Sequence, residues 1–126
     1  MRKIFRMLTL SASVATLAAI AGMSASHAAE EAKVSEEALA KGKEIAFSQA
    51  KGNCLACHMM AGGELPGNIG PPLVAMKARF PDRDTLRAQI YDARVKNPMT
   101  IMIPFGAHQV LTEEEIDLVT DYVHTL

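Results

Sequence analysis

Cys54-Leu55-Ala56-Cys57-His58 holds both cysteines of the chain. Two thiols flanking a dipeptide, with an imidazole directly after the second, form the pattern of covalent c-type haem attachment. The spacing has a chemical reason. The thiols add across the two vinyl groups on one porphyrin edge, and His58 follows where its ring can ligate the iron axially. Three blander readings compete for the same residues. A thioredoxin-like redox pair needs a flanking βαβ pattern, which is missing. Half a zinc site needs a second cysteine pair, and His108 and His124 lack finger spacing. A structural disulfide leaves the adjacent His58 and the long loop after it without a role. Haem accounts for all of these residues.

Downstream of the motif, residues 59–72 contain four Gly and three Pro. A loop that long in a small domain calls for something to wrap. Three helices are expected around it. The first runs from Ser35 to Ala50, with Ser35 as N-cap and Glu36 and Glu37 favourable in the first turn. Gly42 sits inside it at a cost of about 1 kcal/mol relative to Ala, a residue tolerated where another helix crosses closely. The second spans Asp84–Val95, with Leu86, Ile90 and Ala93 on one face, and is closed by Asn97-Pro98. The third begins with a capping box, Thr112 at the N-cap and Glu115 at N3, and carries Ile116, Val119, Tyr122 and Val123 as an apolar stripe. No stretch alternates as a strand, so the expected class is all-α.

A second axial ligand must come from elsewhere. Met59 and Met60 are tied to the motif by sequence and cannot easily reach the opposite face. Met76 begins what reads as a helix or turn. Met99 and Met102 lie in an extended loop, where residues three apart point to opposite sides. His108 competes from the same loop. Spacing alone leaves Met99 and Met102 both open, and a methionine is more often packing than ligand.

The chain has 126 residues, 13 Lys+Arg against 14 Asp+Glu, and only 5% aromatic residues with no Trp. That bounds it to one small domain and excludes the basic footprint of a nucleic-acid binder. Residues 1–28 read as a cleaved signal peptide: Arg2, Lys3 and Arg6, then an apolar run from Met7 to Met23, then small residues to Ala28. A cut after Ala29 is the fallback. An uncleaved anchor is the rival reading, but the apolar run is short and diluted for a span. Removing residues 1–28 leaves 98, with 10 basic and 14 acidic side chains and a net charge of −4. Lys77, Arg79, Arg83 and Arg87 form a candidate basic patch, but Asp82 and Asp84 interrupt it and favour a solvated face.

Residues 29–126 as a whole resemble the class I c-type cytochromes: a first helix, C-x-x-C-H, a Gly-Pro segment, a distal Met loop and a last helix. Gly70-Pro71-Pro72-Leu73 matches the family's Gly-Pro-x-Leu, which implies that the Pro71 carbonyl accepts a hydrogen bond from His58. The implied fold is a small cytochrome c fold, three or more helices around one covalent haem c, with Cys54, Cys57, His58 and Pro71 in contact with it. More narrowly the chain resembles the SoxX family, the monohaem subunit of thiosulfate-oxidising SoxAX cytochromes. The residues responsible are Lys51–His58, Gly67–Leu73, Asn97-Pro98-Met99-Thr100-Ile101-Met102 and Leu111–Ile116. That resemblance implies Met102 as the axial ligand opposite His58, although Ile103 stands where the family usually has Pro.

It further implies a periplasmic heterodimer with a SoxA-type subunit, transient contact with a SoxYZ-type carrier protein, and a downstream acceptor cytochrome. In that family the coupling of thiosulfate to a carrier cysteine, an S-thiosulfotransferase reaction, belongs to the partner subunit. No catalytic residue is expected on this chain, whose two cysteines are both consumed by haem. The alternative is a free-standing periplasmic cytochrome carrier, which would usually present a ring of charge for steering.

Overall fold

Ser35 opens helix α1, Glu36–Phe47, its hydroxyl accepting from the Ala38 amide at 3.1 Å. The computed structural model describes residues 34–126, so the expected signal peptide and its cleavage site lie outside the described residues. After α1 come a 3-10 turn at Cys54–Ala56, α2 at Met76–Arg79, α3 at Arg83–Tyr91, a second 3-10 turn at Ala93–Val95, and α4 at Glu113–His124. Among the described residues there is no strand, and no helix is long and apolar enough to cross a membrane.

Helix α4 is the centre of the fold, and α1 and α3 both pack on it. Its capping box forms as the sequence dictates: Thr112 Oγ1 accepts from the Glu115 amide at 3.2 Å, and Glu115 returns a carboxylate to the Thr112 amide at 3.0 Å. Ile116 and Val119 are fully enclosed, each stabilising the fold by about 1.5–3 kcal/mol. Tyr122 and Val123 complete the stripe. They meet Ala46 of α1, Leu86 and Ile90 of α3, Met76 of α2, and Phe105 and Leu111 of the loop before α4 in one core. Gly42 lets α1 approach: a Cβ there would run into the Leu118 carbonyl and come within 2.9 Å of Tyr122 Cβ.

Two helices differ from expectation at their ends. α1 stops at Phe47, because the Ser48 amide turns back to the Glu44 and Ile45 carbonyls and the chain bends toward the motif. The expected helix over Asp84–Val95 starts one residue earlier and ends at Tyr91. Asp82 is its N-cap, accepting from the Thr85 amide at 2.9 Å. Asp92 then leaves helical backbone (φ −155°, ψ 92°), and its carboxylate caps the short turn beyond it by accepting from Arg94 N.

Of the basic run, Lys77 stays on an exposed face, whereas Arg83 and Arg87 are engaged by α4. Arg87 reaches Asp117 at 2.7 Å and Glu113 at 2.6 Å, and Arg83 pairs with Asp117 and Asp121, so α3 is laced to α4. The Arg87 hydrogen bond chiefly holds the Asp117 carboxyl below the usual carboxylate range, with burial opposing and Arg83 adding. A depressed folded pKa gives stability that is present above the unfolded value, about 3.9, and is lost as pH falls through the folded one. Asp117→Asn is therefore expected to lower the urea midpoint at neutral pH by the equivalent of about 0.5–1 kcal/mol, the scale of a half-exposed network. The gap should begin to close as pH drops below about 4 and vanish only below the depressed folded pKa of Asp117; a gap independent of pH would mean the carboxylate charge is not what matters.

Candidate haem site

The motif sits on the 3-10 turn directly after α1. Asn53 takes left-handed backbone (φ 44°) to start it, and the Cys54 carbonyl accepts from the Cys57 and His58 amides at 3.2 and 2.9 Å. This puts the two thiols and the imidazole on successive steps of one tight turn. Residues 59–72 then fold back over it. The amides of Gly67, Gly70 and Leu73 donate to the carbonyls of Leu55, Cys57 and Met59 at 2.9, 2.8 and 2.8 Å. The loop, which has no regular secondary structure in the sequence reading, is thus anchored to the motif itself.

His58 Nδ1 lies 2.7 Å from the Pro71 carbonyl oxygen. A carbonyl only accepts, so Nδ1 carries the proton and Nε2 is the nitrogen left to bind a metal. Gly70 lies against the face of this ring: a Cβ there would fall 2.8 Å from Nε2 and overlap Cε1. Arg79 adds a support the sequence did not flag, donating to the neighbouring Pro72 carbonyl at 2.7 Å and approaching the Met76 sulfur at 3.4 Å.

Burial above all pushes the Cys54 thiol up to about 11, with the nearby Cys57 adding. A thiol so far from the thiolate form at neutral pH is a poor disulfide-exchange nucleophile. Burial, and then Cys54, raises the Tyr122 phenol in turn.

The methionines separate by environment. Met60 and Met76 are core residues, 3% and 2% exposed, whereas Met99 is 87% exposed. Met102 is half-buried and packs against the same core as Cys54. His108 Nε2 faces the Arg94 guanidinium at 3.2 Å, so its ring lone pair already serves as an acceptor. His124 donates Nε2–H to the Phe80 carbonyl at 2.8 Å and ties α4 to the end of α2.

This donor set fits haem c. It offers two thiols on one turn, an imidazole with Nε2 available, and a glycine against the face of that ring. A bare metal ion is not served in the same way: among the described residues no three His, Cys, Asp or Glu side chains converge.

A helical domain built around C-x-x-C-H, with its histidine bonded to the carbonyl of a Gly-Pro segment, is a class I c-type cytochrome. The chain belongs to the family described as cytochrome c oxidase, cbb3-type, subunit III, whose sequence model matches residues 37–123. It therefore carries covalently bound haem c. An uncharacterized lipoprotein of Aquifex aeolicus (strain VF5) is 37% identical over 75 residues, 59% of this chain and 36% of that protein. The chain thus spans about a third of that relative's length. Among solved structures, SoxXA from P. pantotrophus matches with a TM-score of 0.62 and 26% identity, over 68% of this chain and 79% of the matched one.

Proposed function

We propose that this protein is the monohaem electron-transfer subunit of a SoxAX-type cytochrome, with His58 and Met102 as axial ligands. Cys54 and Cys57 hold the cofactor through thioether links. Haem c supplies a one-electron iron couple. Pro71 fixes the imidazole by accepting from Nδ1, which orients Nε2 and makes it a better donor. Met102 would supply a thioether ligand, which would raise the reduction potential relative to two nitrogen ligands. With His58 and Met102 both holding the iron, the chain would leave no place for a small substrate, and its work would be outer-sphere electron transfer.

The observation that carries the reading is the likeness to SoxXA over 79% of the matched chain. It supports a SoxA-type subunit as partner, with thiosulfate chemistry on that subunit, a SoxYZ-type carrier docking transiently, and an acceptor cytochrome downstream. Residues 1–28 act as the export signal to the periplasm, and the lipoprotein relative supports export of this kind of domain. The internal pairing of Arg83 and Arg87 removes the charge a diffusing carrier would use for steering on that face.

Co-expression with a SoxA-type haem protein from the same organism tests the assignment. A stable heterodimer on size exclusion, with one covalent haem by mass on this chain and residues 1–28 absent, is the expected result. A red monomer that ignores that protein would make the chain a free-standing carrier.

A further inference from the structure

We propose that Thr100 is a positioning residue for Met102: its hydroxyl accepts from the Met102 amide and so fixes the backbone from which the sulfur is presented. The inference deepens the preceding reading and rests on it, because it takes Met102 as the distal ligand.

Residues 97–102 consist of two consecutive turns, each closed by a side chain. In the first, Asn97 Oδ1 accepts from the Met99 amide at 3.1 Å, and the Thr100 amide donates to the Asn97 carbonyl at 3.0 Å. In the second, Thr100 Oγ1 accepts from the Met102 amide at 3.2 Å. Both side chains act as local mimics of a backbone turn, a role suited to Asn and Thr.

The backbone beyond Thr100 is nearly free of such ties. Among the described residues 101–105, the Met102 amide is the one backbone N–H with a partner; the next is Gly106, which donates to the Tyr91 carbonyl at 3.1 Å. Packing does not replace the missing bonds next to the ligand, since Ile101 and Ile103 are 76% and 51% exposed. The ligand loop is therefore held at Asn97 and again from Pro104, whose carbonyl accepts from His108 while that of Phe105 accepts from Val110 and Leu111; across residues 101–103 the Thr100 hydroxyl makes the one hydrogen bond to the backbone among the described residues.

A thioether is a neutral ligand whose hold depends on being kept in place, so the open population of this loop sets how readily another ligand enters. Loss of a single neutral hydrogen bond changes such a population about fivefold. An incoming ligand's apparent affinity scales with the open fraction.

The test is a titration of the oxidised holoprotein with imidazole, read by absorption, alongside the near-infrared sulfur-to-iron band recorded without imidazole. Thr100→Val keeps the shape and removes the hydroxyl; it should bind imidazole about fivefold more tightly than the parent. Thr100→Ser, which keeps the hydroxyl, should match the parent, and Thr100→Ala provides a second hydroxyl-free variant if valine folds poorly. Met102→Ala should lose the band. If Met102→Ala keeps it, the ligand assignment fails, and this inference with it. If Met102→Ala loses the band but the hydroxyl-free variants bind imidazole like the parent, or the serine variant binds as tightly as they do, the role of Thr100 alone is overturned.

Discussion

Gly70→Ala is expected to leave the helices in place and to damage the proximal side of the haem. The three atoms nearest the added Cβ are all side-chain atoms. They belong to the His58 ring, with Nε2 at 2.8 Å. A side chain can swing away, so the polypeptide accommodates the methyl group at little cost to its core. What the ring cannot do is move and also keep its bond to Pro71. Disturbing the groups that orient a metal-bound histidine typically weakens the site about 10- to 100-fold. The oxidised absorption spectrum should shift from low-spin toward high-spin, while far-ultraviolet dichroism stays parental. A parental visible spectrum in this variant would show that the ring has room the geometry denies it.

Gly42→Ala should have the opposite signature, a normal spectrum on a weakened fold. Helix propensity alone favours the change by about 1 kcal/mol. Packing overrides it, because the Cβ would strike the backbone carbonyl of Leu118, which belongs to α4 and cannot rotate aside. Either α1 and α4 separate or α4 bends, and overpacking of this kind costs about 1–3 kcal/mol. Against a total of about 5–15 kcal/mol for a domain, that is a large share. A lower denaturant midpoint of the holoprotein is the expected reading, and Gly42→Leu should fail to accumulate. A midpoint at or above the parent would mean that the two helices slide apart freely.

Both glycines are visible in the sequence, for different reasons. Gly42 stands out as an expense inside a well-capped helix, and the expense is explained by the crossing with Leu118 and Tyr122. Gly70 is visible only through the Gly-Pro resemblance. Where local chemistry decides the structure, sequence suffices: Ser35 and the Thr112–Glu115 box start α1 and α4 where their side chains satisfy free amides. It does not suffice where the decision is tertiary or very short-range. Helix α2 is legible only as a helix or turn beginning at Met76: it has four residues and starts after Ala75 in left-handed backbone with no side-chain cap, so its length and end are not written in its composition. The break after Tyr91 comes from Asp92 capping forward rather than continuing the helix. The partners of Arg83 and Arg87 lie some thirty residues away on α4, beyond any local pattern. The differing exposures of Met99 and Met102 likewise emerge only once the loop is laid against the core.

The α1–α4 contact has a bearing on biogenesis. Its two helices bracket the cofactor segment, so the contact cannot form until α4 has been synthesised. It is a long-range contact, of the kind that closes late because the loop between its partners must be ordered first. Until it closes, Cys54 is not yet covered by Tyr122 and its neighbours, so topology leaves the thiol accessible for attachment longer than a local contact would.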